Sequence, residues 1–205
     1  MRQVTFALLA AIGLVVVPLL AIGILRAATP TDKSPLGRQI AGFELHDYLG
    51  AMHRLDEWAG KKAVVVVFLG DECPVAKLIG PRLAELAARY QDKGVAFVGI
   101  DSNAQDSLAD IAHYAREHKI TFPILKDPGN VVADRFGAER TPDAFVLDAD
   151  RTIRYRGMID NQHAVGYSRP TATKNYVADA LDELLAGKPV TQAATEPAGC
   201  FIGRV

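Results

Sequence analysis

Residues 64–74 read VVVVFLGDECP. The unbroken apolar run Val64 to Leu69 suits a central strand buried on both faces, since a half-wet strand would alternate apolar with polar residues. A short loop follows, and Cys73-Pro74 then opens a helix. Pro74 fits the first helical position, where its missing N–H costs nothing. A cysteine just before it sits on the free N–H groups of the first turn, which favour thiolate over thiol. This order of strand, loop and helix confines the chain to α/β architectures, and the cysteine points to thiol chemistry. The second cysteine, Cys200, stands close to the C-terminus.

The N-terminus is a separate object. Val4 to Leu25 carries no charge, and at 1.5 Å per residue such a segment spans a bilayer. A secretory apolar region is usually shorter, roughly 7–15 residues, and a small-x-small cleavage site is poor here. Residues 1–26 therefore read as a transmembrane anchor in preference to a cleaved signal segment, and 27–35, with two prolines, as a linker. Positive charges nearly balance across the segment: Arg2 on one side, Arg26 and Lys33 on the other. The short N-terminal flank favours export of the rest, into the periplasm or another extracytoplasmic space where disulfides persist. With a net charge of −1 and scattered Lys and Arg, the chain carries no nucleic-acid footprint.

Beyond the linker, IAGFEL (40–45) and AMHRL (51–55) flank a turn and read as a short hairpin. Val75, Leu78, Ile79, Leu83, Leu86 and Tyr90 recur at helical spacing, so a helix runs from Pro74 to about Asp92, with a kink expected at Gly80-Pro81. Val95 to Ile100 is a second strand, parallel to the first through a right-handed crossover. Ser107 and Asp110 form a capping box for a helix whose apolar face is Leu108, Ile111, Ala112 and Ala115. Val131 to Phe136 is a short helix. Ala144–Leu147 and Thr152–Arg156 form an antiparallel hairpin around DADR. Tyr176 to Leu185 is a last helix, stopped by Gly187 and Pro189. Residues 188–205 lack periodicity and read as a tail, although GCFIG sets Phe201 and Ile202 beside Cys200 and suggests that the tail docks. The sum is a mixed sheet with helices on both faces.

This order of elements resembles the peroxiredoxin-like redoxins, the alkyl hydroperoxide reductase and thiol-specific antioxidant superfamily, which have a thioredoxin-like fold. The resemblance covers residues 36–187 and rests on FLGDECPVAK (68–77), FPILKDPGNVVADRFGAERTPDAFVLD (122–148) and RYRGMID (154–160). It implies that Thr141-Pro142 is a cis-proline site facing Cys73, whose neighbouring backbone pairs with a partner. A subgroup combines Cys-x-x-Cys-Pro-x-x-Lys at the helix start with Gly-Cys-x-Ile at the C-terminus. The chain matches with Cys73, Pro74 and Lys77, and with Gly199, Cys200 and Ile202, but Gly70 replaces the first cysteine. A two-cysteine cycle cannot run within that motif. Peroxiredoxins also place Thr or Ser where Gly70 stands, and an arginine near the position of Pro142, so the peroxide-activating set is incomplete.

The resemblance thus implies a thiol-based redox protein. Cys73 is the attacking thiolate, Cys200 a candidate resolving thiol, and Thr141 and Pro142 position the partner; from the residues themselves, Asp71 and Glu72 oppose the thiolate and Lys77, one turn along, offsets part of that. Its partner would be a thiol or disulfide protein, or a peroxide. No cofactor and no metal is expected: His46, His53, His113, His118 and His163 show no ligand spacing and read as solvated, with only His163 worth retaining. Trp58 reads as a packing residue under the first hairpin. The alternative is a non-catalytic docking or copper-handling module of the same fold. Copper chaperones of that kind use Cys-x-x-x-Cys and a distant histidine, and here position 77 is lysine. The two cysteines are compatible with a pair or with two separate thiols.

Overall fold

The computed structural model describes residues 34–204. The expected anchor (1–26) and most of the linker lie outside them. Among the described residues no helix is long and apolar enough to cross a membrane.

The valine run becomes β3 (Ala63–Leu69), every residue of which is buried. It is flanked in sequence by β1 (Glu44–Asp47) and β2 (Met52–Arg54), which form the expected hairpin, and by α1 (Pro74–Tyr90). Then come β4 (Val95–Asp101), α2 (Leu108–Glu117), β5 (Ile124–Lys126), α3 (Val131–Phe136), β6 (Arg140–Thr141), β7 (Asp143–Asp148) and β8 (Ile153–Gly157). A small hairpin of β9 (His163–Ala164) and β10 (Tyr167–Ser168), helix α4 (Tyr176–Leu185) and β11 (Cys200–Phe201) complete the chain. The main sheet has the order β2-β1-β5-β4-β3-β7-β8. β3, β4 and β5 are parallel, and the other neighbours antiparallel.

Alternate residues of β3 feed two cores. Val65, Val67 and Leu69 pack with α1, α2 and α4, while Val64, Val66 and Phe68 pack with α3, where Phe68, Phe136 and Phe145 meet edge to face. Each such side chain contributes roughly 1.5–3 kcal/mol by leaving water. This two-sided burial is why the strand shows no alternation in sequence.

Several expectations change in detail. α1 runs through Gly80-Pro81, as expected, and ends at Tyr90 rather than about Asp92. Gly80 is required by packing: a Cβ there would stand 2.4 Å from His118 Cγ. His118 itself is buried, edge-on to Tyr114, rather than solvated. Leu78 and Leu108, assigned to apolar faces, are exposed, while Tyr114 fills the α2 face instead and donates to the Ala76 carbonyl. The capping box of Ser107 and Asp110 is present. Trp58 stacks on His53 beside the second core. β5 was not foreseen, because only three residues pair and Pro123 precedes them.

Candidate active site

Cys73 lies at the N-cap of α1, at the end of the loop that leaves β3. Only 3% of it is exposed. Opposite it, the Thr141–Pro142 peptide is cis. The Cys73 thiol donates to the Thr141 carbonyl oxygen at 2.9 Å. Thr141 and Arg140 form β6, whose partner is not the main sheet but the C-terminal segment: Cys200 pairs with Thr141 and Phe201 with Arg140, antiparallel. The structure therefore brings together Cys73, Thr141, Pro142 and Cys200, from three distant parts of the sequence. Both cysteines are free thiols here.

The two thiols differ electrostatically. Burial pushes the Cys73 thiol up, but it is outweighed by hydrogen bonds to the thiolate from the Cys200 side chain, the Ala76 and Cys200 N–H groups and the Thr141 hydroxyl, and the net direction is down. Ala76 is the third residue of α1, so the helix N-terminus acts as the sequence suggests. The Thr141 hydroxyl is buried without a partner while Cys73 is a thiol, and a thiolate supplies its acceptor. Cys200 is driven the other way, to about 11, by burial and then by its hydrogen bond and charge interaction with Cys73, with Arg140 opposing. Of the pair, Cys73 gives up its proton more readily than Cys200.

The remaining residues marked in the sequence are less central. Lys77 is half-exposed, with Nζ 4.0 Å from Asp71 Oδ2. His163 accepts from or donates to Ser168 Oγ at 2.8 Å and lines a small recess beside Pro142 with Val75, Ile79 and Asp160. Among the described residues no group of three or more His, Cys, Asp or Glu side chains could hold a metal ion.

Two residues of the site were not singled out by sequence. Asn103 Nδ2 donates to Asp106 Oδ2 at 3.0 Å and to the Leu69 carbonyl at 3.4 Å, and its Oδ1 accepts from Gly203 N at 2.9 Å. It thus ties the Cys73 loop to the tail. Asp106 Oδ2 also accepts from Asp71 N, and Lys126 Nζ holds the Asn103 and Asp106 carbonyls, each at 2.6 Å, and Asp101 Oδ1 at 2.9 Å. Burial raises Asp101 to about 8 despite Lys126. A Cβ on Gly70 would meet Asn103 Nδ2 at 2.1 Å, so Asn103 occupies the space that a first motif cysteine would need. The second residue, Arg140, donates to the Gly199 carbonyl at 2.9 Å and lies 4.0 Å over the Phe201 ring. Nothing in the local sequence separates these polar residues from solvated ones.

The AhpC/TSA family profile matches residues 36–156. The chain belongs to this family. Among individual proteins, the thiol-disulfide oxidoreductase ResA of Bacillus thuringiensis subsp. konkukian is 25% identical over 125 residues, covering 61% of this chain and 70% of that protein. A crystal structure of a hypothetical protein from Sinorhizobium meliloti superposes with a TM-score of 0.77 at 32% identity, covering 83% of this chain and 94% of that one. An uncharacterized conserved protein from Geobacillus kaustophilus gives 0.74 at 35% identity, covering 82% and 92%. The main sheet and its helices have a thioredoxin-like fold.

Proposed function

We propose that this AhpC/TSA protein is a thiol–disulfide oxidoreductase in which Cys73 attacks and Cys200 resolves. The observation that carries the reading is the shared seat of both cysteines on Thr141: Cys73 Sγ reaches its carbonyl, and Cys200 is its strand partner. The name of the ResA relatives supports the same chemistry. Cys73 thiolate attacks one sulfur of a disulfide, forms a mixed disulfide and expels the other sulfur as a thiolate. Cys200, losing its proton, then attacks Cys73, releasing the substrate's second thiolate and leaving a Cys73–Cys200 bridge. Thr141 and Pro142 shape the contact surface, and Lys77 tempers the nearby carboxylates. The apolar run 4–25 supports an extracytoplasmic, membrane-tethered domain.

The test is stoichiometric. Oxidised protein should lose both alkylatable thiols and show one intramolecular bridge by mass, and Cys73→Ser should abolish disulfide reduction. An oxidised chain that keeps two free thiols would refute the assignment.

A second reading is favoured by the burial of Cys73, which admits small oxidants more readily than proteins. A hydroperoxide would transfer one oxygen to Cys73, giving a sulfenic acid and an alcohol or water. Cys200 would then displace water and close the same bridge. Gly70 offers no side-chain donor to the peroxide, so slow oxidation is expected. Conversion of Cys73 to sulfenic acid at micromolar peroxide within seconds would instead make peroxide the preferred substrate.

A further inference from the structure

The C-terminal segment 199–203 runs antiparallel beside Glu139–Thr141, pairing as a strand at Cys200–Phe201, and each of its residues is held by a separate contact. Gly199 passes so close to the Thr141 carbonyl that a Cβ would stand 2.0 Å from the oxygen. Cys200 faces Thr141 across the ladder. Phe201, though exposed, is covered by the Arg140 guanidinium at 4.0 Å. Ile202 is only 5% exposed, is part of the second core, and its N–H bonds the Glu139 carbonyl at 2.9 Å. Gly203 is held at both backbone groups, its N–H by Asn103 Oδ1 and its carbonyl by Ala104 N–H at 2.9 Å. Such an arrangement is strand addition: main-chain bonds supply affinity, and side-chain seats supply selectivity.

We infer that the edge Glu139–Thr141 is a peptide-docking surface selective for an extended glycine–cysteine–aromatic–aliphatic segment, and that residues 199–203 are its resident occupant. The inference rests on the proposed thiol–disulfide function and names the substrate class for it. A protein disulfide whose cysteine follows glycine and precedes an aromatic and an aliphatic residue takes the tail's place, with its cysteine at Cys73. While the tail is seated, Cys73 is shielded from that substrate, and release of the tail opens the edge.

The test uses the full-length chain with Cys200→Ser, which leaves Cys73 as the sole cysteine, with and without Gly199→Ala, which drives the tail backbone off Thr141. The probe is the peptide Ala-Gly-Cys-Phe-Ile-Gly, carrying a nitrothiobenzoate on its cysteine. Cys73 thiolate attacks the peptide sulfur, forms a Cys73–peptide disulfide and releases coloured nitrothiobenzoate thiolate, so one disulfide is exchanged for another. Gly199→Ala should speed the reaction about tenfold, and in that variant replacing the peptide's Phe and Ile by Ala should slow it about tenfold, the worth of one buried anchor side chain, here the Ile, whose seat is the buried one. A peptide with Ala in place of Gly before the cysteine should be slowed as well. Arg204→Ala, which frees the tail's end from Asp134 and the Ala138 carbonyl without touching the edge, should act in the same direction as Gly199→Ala. Equal rates for all peptides, or no effect of releasing the tail, would overturn the inference. The small disulfide cystamine separates the two levels. If cystamine modifies Cys73 while the peptides are indistinguishable, only the docking surface falls. If neither cystamine nor peptide reacts in any variant, the proposed function falls with it.

Discussion

Cys73 is bounded on one side by the first turn of α1 and on the other by the segment 199–203, and the two sides are built on different principles. The helix side is local. Pro74 at the first helical position and the N–H of Ala76 come from residues adjacent in sequence. The tail side is assembled from β6, the 102–106 loop and the C-terminus, each of which lacks a periodic pattern of its own. Comparing them separates two properties usually merged in one motif. Both sides bias Cys73 towards thiolate, the Cys200 thiol most and the Ala76 N–H next, while the remote side also supplies a second sulfur and covers the first. In a Cys-x-x-Cys motif both sulfurs would lie in one loop. Here Gly70 and Asn103 have closed that place, and the second thiol near Cys73 is Cys200, seated on Thr141.

The strongest way to break this comparison is to remove the remote sulfur. A Cys73–Cys200 bridge closes a loop of more than about 100 residues, for which the chain-entropy model gives about 4–5 kcal/mol. Oxidised wild-type protein should exceed its reduced form by about that amount in denaturant unfolding, and Cys200→Ser should erase the difference. If oxidation leaves the wild-type midpoint unchanged, the tail does not supply a partner sulfur.

The next largest effect comes from restoring a sulfur to the local side. Gly70→Cys should destabilise the protein by about 1–3 kcal/mol, since its Cβ overlaps the Asn103 amide. Adding Asn103→Ala should recover part of that loss while loosening the tail, because Asn103 Oδ1 no longer holds Gly203 N. An unperturbed Gly70→Cys single variant would show that Asn103 does not block the motif. Additive losses in the double variant would show that the two positions are independent.

These contrasts also explain which parts were readable in advance. The buried valine strand, the two flanking helices, the Ser107–Asp110 capping box and the hairpin around DADR are encoded by consecutive residues, so periodicity and capping rules find them. Cys73 was legible for the same reason. β6 and β11 are two-residue strands whose pairing is set by where the chain ends meet in space, and no period can accumulate over two residues. The likeness of Gly199-Cys200-Phe201-Ile202 to a known terminal element flagged the tail, but not its seat on Thr141. Asn103 and Arg140 carry polar side chains of ordinary type, and only contact geometry reveals their roles. His118 was misjudged because a histidine on a helix end reads as wet, whereas the absent side chain of Gly80 makes room to bury it.

A smaller effect is expected from the hydroxyl that links the two sides. Thr141→Val keeps the shape of the side chain but removes a donor to the Cys73 thiolate. The sign follows from the direction of the shift. Hydrogen bonds to the thiolate lower the Cys73 pKa, so losing one raises it, and at neutral pH the thiolate fraction falls. In the Cys200→Ser background, the pH midpoint of alkylation should move up and the plateau rate at high pH should stay the same. A plateau change without a midpoint change would mean that Thr141 governs access rather than ionisation.

The smallest effect should come from Lys77, the one site residue that the motif named and the geometry sets aside. Its ammonium is half-exposed and stands 4.0 Å from Asp71 Oδ2, at the outer limit of an ion pair, although the Asp71 carboxylate itself is largely covered. With the lysine hydrated and the separation this long, the pair is worth roughly 0–1 kcal/mol, and salt screens it further. Lys77→Gln should therefore shift the alkylation rate of Cys73 by no more than about twofold at physiological ionic strength, and less at high salt. The local side of the site would then owe its bias to backbone N–H groups, which no side-chain substitution removes. A large, salt-sensitive loss of rate in Lys77→Gln would reverse that ranking and place a side-chain charge above the helix N-terminus in setting the reactivity of Cys73.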